Sequence, residues 1–196
     1  MFKTVLNYKL VATILILTSS VMAQTPLKKA KLTKSDRAEW RKILAWPSEC
    51  EETFQEQYKD DNYAGLEFHR LAPKQNLVEI LCYRGAYQPG RVFMFLDEAK
   101  GRSKLLEFKT YSREKDGRVK TYVESEIAGL TDFDTKTKEL KIFSKSRGPG
   151  DCGSLVIYKF INGKLLVKEA RAQSCEDDAN FDRVHDPRQW PKVAKP

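Results

Sequence analysis

Apolar and polar residues alternate along most of this chain, and alternation by two predicts strands. Across residues 154–160, Leu155, Ile157 and Lys159 interleave with Val156, Tyr158 and Phe160, so both faces of a strand carry much apolar surface. Asn162-Gly163 follows, a dipeptide whose two residues accept positive φ, and residues 165–171 return as the partner strand of a hairpin. Residues 76–83, 91–96, 104–108, 119–126 and 140–143 read as further strands, with turns at Lys100-Gly101-Arg102 and Asp116-Gly117 and a loop over 131–138. The fold predicted is mainly β, an antiparallel meander forming an open sheet or a partly closed barrel. Strand–helix–strand alternation is absent. Gly148-Pro149-Gly150 is too short for a phosphate loop and leads into a strand.

Only the N-terminal part carries a helical period. Ser35 is placed to cap a helix in which Trp40, Ile43 and Leu44 share a face, and Pro47 forbids its continuation. Ser48-Glu49-Cys50-Glu51 reads as a capping box opening a second short helix, with Cys50, Phe54 and Tyr58 on one face.

Further upstream, Lys3 and Lys9 precede an apolar run over residues 10–17, and Val21-Met22-Ala23 supplies small residues before a cleavage point at Gln24. This is the layout of a secretory signal peptide, too short and too interrupted by Thr18-Ser19-Ser20 for a spanning helix. The expected organisation is a signal peptide over 1–23, a basic flexible segment over 24–34, and a single disulfide-stabilised mainly-β domain over 35–196. No transmembrane segment is expected after signal removal. The location implied is periplasmic or secreted.

Removing 23 of 196 residues takes away Lys3 and Lys9 and no acid, so the formal charge falls from +8 to +6. Basic residues concentrate at Lys28, Lys29, Lys31, Lys34, Arg37 and Arg41, the expected contacts to an anionic surface. Elsewhere acids and bases are interspersed, and no pattern for specific nucleic-acid recognition is present.

Four cysteines in an exported chain read first as disulfides. If Ile161 faces Lys164, Cys152 faces Gln173, and Cys175 lies two residues further along the partner strand. A bulge or bend at Gly150 or Gly153 would close that diagonal. Cys152–Cys175 is therefore the favoured pair, leaving Cys50–Cys82 to pin the helical segment to the sheet. Each bridge is worth roughly 3–4 kcal/mol on the chain-entropy model. There is no CxxC pair, and His69 and His185 sit in no ligand-like cluster, so neither metal nor cofactor is expected.

Other chemistry-bearing residues have plain structural readings. Asp132, Asp134 and Glu139 lack the remaining ligands of a calcium loop and read as a solvated hairpin. Glu176-Asp177-Asp178 reads as a polar loop, and His69 as a strand-edge or loop residue. Tyr83, Tyr87, Phe93 and Phe95 read as core and cross-strand packing rather than as a sugar- or base-stacking surface.

Pro149-Gly150-Asp151-Cys152-Gly153 resembles the nucleophile motif of the chymotrypsin-like cysteine proteases of enteroviruses, with His69 and Asp97 in compatible chain order. That chemistry needs a thiolate within reach of an oriented histidine. A longer resemblance runs through Arg147-Gly148-x-Gly150-Asp151-Cys152-Gly153-Ser154, Asn162-Gly163-Lys164, Leu166, Glu169, Arg171, Cys175 and Trp190-Pro191, with Leu81-Cys82-x-x-Gly85-Ala86-Tyr87-Gln88 upstream. Over roughly residues 46 to 191 the chain resembles the bacterial exported family known as domain of unknown function 1176. The resemblance implies export and disulfides and carries no activity. Asp151 is expected to serve the turn, with Gly148, Gly150 and Gly153 supplying its backbone angles.

The function expected is a non-enzymatic binding module for anionic glycan or lipid surfaces of the envelope. The alternatives are an inhibitor of an exported hydrolase and, more remotely, a cysteine protease using Cys152.

Overall fold

The computed structural model describes residues 32–161, 163–175 and 186–194. The signal-peptide segment, Lys28, Lys29, Lys31, Asn162, residues 176–178 and His185 lie outside the described residues.

Two helices come first, α1 (Lys34–Leu44) and α2 (Ser48–Gln57). Thr33, not Ser35, caps α1: the Thr33 hydroxyl accepts from the Asp36 amide while the Thr33 amide donates to the Asp36 carboxylate at 2.8 Å. Three residues past Ser35 stands Ala38, which has no group to reach back, whereas Asp36 completes the reciprocal pair from Thr33. Lys34 thus belongs to a helix rather than to a flexible segment. Its ammonium donates to the Tyr58 and Lys59 carbonyls at 3.0 and 3.2 Å, just past the C-terminal end of α2. The capping box expected at Ser48 does not form. Pro47 is the N-cap, without a side-chain bond.

Twelve strands follow among the described residues. Strands β1 (Leu66–Ala72), β2 (Gln75–Arg84), β3 (Pro89–Asp97) and β4 (Arg102–Leu105) form an antiparallel sheet in chain order. A hairpin of β5 (Phe108–Arg113) and β6 (Val119–Glu124) stands by itself as a two-stranded ribbon. The chain then returns to the first sheet through β7 (Glu126–Ala128), which pairs with Gly90, Arg91 and Val92 of β3. The second sheet contains β8 (Leu130–Asp134), β9 (Glu139–Lys145), β10 (Gly153–Ile161), β11 (Lys164–Gln173) and β12 (Lys192–Ala194), in the order β12-β11-β10-β9-β8. Both sheets stay open, and no barrel closes among the described residues.

The first sheet is covered on both faces, which explains the near-continuous apolar runs in β2 and β3. Val78, Ile80, Cys82, Val92, Met94 and Leu96 pack against Trp40, Leu44, Trp46 and Cys50 of the helical segment. The intervening Leu77 and Phe93 point the other way, into a core shared with Phe108, Leu140, Ile142, Val156, Tyr158 and Ala170. The period of two therefore builds three layers: helices, first sheet, second sheet.

Two further details depart from the sequence reading. The stretch expected to be a loop at 131–138 supplies β8, whose turn is set by Asp134 accepting from the amides of Lys136 and Thr137 at 2.7 and 3.1 Å. In α1 the buried stripe is Arg37, Trp40 and Leu44, and Ile43 is half exposed.

Both disulfides form as anticipated, Cys50–Cys82 and Cys152–Cys175, and no cysteine is free. Ile161 does face Lys164, but the irregularity that closes the second bridge lies in β11. Tyr158 faces Val167 while Ile157 faces Glu169, so Lys168 is the extra residue of a bulge. Beyond it Gly153 faces Gln173, which advances Cys152 by one place towards Cys175 and brings the two Cα atoms to 5.1 Å.

Candidate functional site

The helical layer is locked by a buried ion pair. Arg37 is 0% exposed, and its Nε donates to the Glu51 carboxylate at 2.8 Å while its Nη1 donates to the Ala64 carbonyl at 2.9 Å. Its guanidinium lies 3.6 Å from the centroid of the Phe54 ring. Glu51 also accepts from the Trp46 indole at 3.1 Å and the Gln55 amide at 2.6 Å. Burial disfavours the Glu51 carboxylate, but donors from Gln55, Arg37 and Trp46 outweigh it and hold its pKa below the ordinary value. Burial likewise pulls Arg37 down, with Glu51 opposing. Arg37 is therefore not an anionic-surface contact: it is an interior residue with an interior partner. Lys34 is engaged at the end of α2, Arg41 is partly buried, and Lys28, Lys29 and Lys31 fall outside the described residues. The basic cluster does not assemble into a described surface.

The two cysteine motifs do come together. The Gln88 side-chain amide clamps one residue of β9, donating to the Lys145 carbonyl at 3.1 Å and accepting from the Lys145 amide at 2.8 Å. Beside this clamp the Tyr87 ring lies over Gly148, where an added Cβ would stand 2.8 Å from the ring edge. Asp151 accepts from Arg147 at 2.9 Å through Nε and again through Nη2. Gly150 and Gly153 adopt positive φ, and a Cβ on Gly153 would meet the Ser144 carbonyl at 2.0 Å. Gly150 and Gly153 take up the unusual backbone angles, whereas Gly148 does not and instead leaves room for the Tyr87 ring.

At this junction lies an open groove of about 540 Å³, lined by Tyr58, Tyr63, Leu81, Arg84, residues 85–89 and Arg91. Tyr87 and Tyr63 are 64% and 44% exposed at its rim, whereas Tyr58 is 2% exposed and its hydroxyl is buried beneath them. Burial pushes the Tyr58 hydroxyl pKa up, an effect opposed by the Arg84 guanidinium 4.9 Å from its ring centroid. Among the described residues no acid lines the groove. Arg84 makes no ion pair among the described residues, while Arg91 pairs with Glu79 at 2.5 Å behind it. Sequence reasoning had assigned Tyr87 to packing. Its neighbours Gly85-Ala86 and Gln88-Pro89 were the signal that it sits on a loop, outside the alternation that buries Phe93.

A second, polar cleft of about 410 Å³ lies between the β5–β6 hairpin and the second sheet, with Cys175, Gly153, Ser154, Tyr83 and Ser112 among its walls. It mixes Glu124 and Glu126 with Arg113 and Lys145, so it selects no sign of charge.

The remaining candidates have structural roles. His69 lies on the edge strand β1, and its Nε2 donates to Glu79 at 3.3 Å. Glu67, His69 and Glu79 bring one ligand atom each within 4.8 Å of one another. Glu79, however, already accepts from Thr131 at 2.7 Å and pairs with Arg91, which makes this a polar plug in the sheet interface. Burial works against the Glu79 carboxylate, yet its donors His69 and Thr131, with Arg91, hold its pKa below the ordinary value. Asp132 pairs with Lys141, and Glu139 with Lys168. The protease constellation is not assembled: the Cys152 sulfur is bonded to Cys175, His69 is bound to Glu79, and Asp97 accepts from the Lys100 amide.

Residues 12–193 match the family described as a protein of unknown function (DUF1176). The chain belongs to DUF1176. No curated protein and no solved structure matches it. In this DUF1176 chain the segments that carry the family resemblance, 81–88 and 147–154, are the two that meet around Tyr87.

Proposed function

We propose that this protein is a non-catalytic binding module for anionic glycans, and that its site is the tyrosine–arginine groove. The observation that carries the reading is the lining itself: three tyrosines and two arginines, with no acid among the described residues. Exposed tyrosine rings offer flat apolar faces to the C–H faces of pyranose rings, and Arg84 offers a planar fork to a carboxylate, sulfate or phosphate. Two disulfides support action in an oxidising compartment, where envelope polymers of this chemistry are met. Among the described residues no helix is long and apolar enough to cross a membrane.

The test is calorimetric titration with heparin oligosaccharides and with lipopolysaccharide at low and physiological salt. Binding is expected at low salt and weakens as salt rises. Tyr87→Ala and Arg84→Ala are each expected to lower affinity by about tenfold, on the order of 1.4 kcal/mol. No binding to either ligand at low salt, or unchanged affinity in both variants, sinks the proposal.

A further inference from the structure

Among the described residues the β5–β6 ribbon leaves one strand without a partner on its outer side. β5 packs inward against β10 and β11, and the Tyr158 hydroxyl donates to the Lys109 carbonyl at 3.2 Å. Among the described residues β6 pairs only with β5, and all six of its residues are exposed. Val123 is 67% exposed, and Tyr122 and Val119 stand out from the same strand. A bare edge of this kind is a template for another strand, and proteins ordinarily blunt it with proline, a bulge or a lone lysine. β6 has neither proline nor glycine, and its register with β5 runs unbroken from Val119 to Glu124.

The sequence of the edge identifies what fits it. In an antiparallel pairing of β6 with a second copy of itself centred on Tyr122, Lys120 of each copy lies opposite Glu124 of the other. Thr121 then lies opposite Val123, and the two Tyr122 rings face each other. Shifting the centre to Lys120 or Glu124 sets like charges directly opposite, which is repulsive. Only the Tyr122 centre makes both charged positions complementary: Lys120, which pairs with Glu114 of its own subunit at 3.1 Å, then faces a second carboxylate, Glu124 of the other copy. Such a pairing places the two-fold axis perpendicular to the ribbon and satisfies both isologous contacts at once.

We propose that this protein self-associates into a two-fold dimer through antiparallel β6–β6 pairing centred on Tyr122. The product is a continuous four-stranded ribbon, β5-β6-β6-β5. Tyr122 and Glu124 line the polar cleft, so the dimer opens the two clefts on the same face of that ribbon. The contact is one short strand per subunit and belongs to the weak, concentration-dependent class of interface.

Sedimentation equilibrium of the mature, disulfide-bonded protein over a concentration series tests this. The wild type is expected to pass from the monomer mass towards twice that mass. Lys120→Glu and Glu124→Lys each create two like-charge pairs across the axis and are expected to weaken dimerisation about tenfold. The double variant Lys120→Glu/Glu124→Lys restores complementarity and is expected to return the wild-type constant. Circular dichroism of all variants monitors folding, and the wild-type series stands even if a variant misfolds. A wild type that stays monomeric throughout overturns the proposal, as do single variants that dimerise like wild type. A double variant no better than the singles overturns it too, by placing the interface elsewhere.

Discussion

Replacing Glu51 with glutamine probes the most concentrated electrostatic feature of the molecule. Among the described residues the carboxylate is the only acid bonded to Arg37, whose guanidinium is wholly buried between Phe54, Trp46 and the Ala64 carbonyl. Glutamine keeps the shape and one acceptor but leaves the charge of Arg37 uncompensated. Breaking a buried pair in this way costs about 3–5 kcal/mol. With a urea m-value of roughly 2 kcal/mol/M for a domain of this size, the unfolding midpoint falls by about 2 M. The paired replacement Arg37→Met/Glu51→Leu removes both charges together and is expected to recover most of that loss, because it also removes both desolvation penalties. Urea unfolding followed by tryptophan fluorescence under non-reducing conditions reads both variants, since Trp40 and Trp46 pack in the same cluster. A Glu51→Gln midpoint within about 0.5 M of wild type, or a double variant as damaged as the single, refutes the assignment of Arg37 as an interior cation held by Glu51.

Three further outcomes are expected. Glu51 and Glu79 both have folded pKa values below the ordinary carboxylate range, so their contribution is fully present above the unfolded pKa of about 4.3 and is lost as pH falls through the lower folded values; acid titration of stability should fall less steeply in Glu79→Gln than in wild type. Cys50→Ser/Cys82→Ser should cost about 3–4 kcal/mol and show, by hydrogen exchange, faster opening of residues 34–57 than of β2 and β3. Gly153→Ala should destabilise by about 3 kcal/mol, because its φ of 139° and the Ser144 carbonyl both exclude a Cβ, while Gly148→Ala should leave the fold intact and abolish most glycan affinity by lifting Tyr87; equal stability of the two alanine variants would contradict this division of labour.

The strands and both disulfides were legible because they rest on local rules. The alternation in 154–160 and the hairpin turn set a register that was correct at Ile161–Lys164, and the cysteine pairing followed from it. The bulge at Lys168 was not legible, since nothing in Val167-Lys168-Glu169 distinguishes an extra residue from a paired one. Arg37 was misread for a related reason. A charged residue among lysines reads as solvated, and its burial depends on Glu51 and Phe54, which only tertiary packing brings to it. The spacing of Arg37, Trp40 and Leu44 held the clue, because three and seven residues on from Arg37 is the same helix face. Ile43 lost that position because the face that pairs with Glu51 wins the interior. The groove was invisible for the same cause: Tyr58, Tyr63, Arg84 and Tyr87 come from separate elements, and no spacing along the chain unites them.

The Gln88–Lys145 clamp has a consequence for when the protein becomes competent. It joins a loop of the first sheet to β9 of the second, across a separation of 57 residues. Until the chain has delivered β9 and the Gly148 turn, Tyr87 has no seat and the groove has no far wall. Contacts of such long range are late events in folding. The most C-terminal cysteine, Cys175, must also arrive before that turn is stapled. A chain whose second half is unfolded, or whose cysteines are still reduced, would therefore present no ordered groove. The groove is thus a late product of folding, complete only after both halves of the molecule have met.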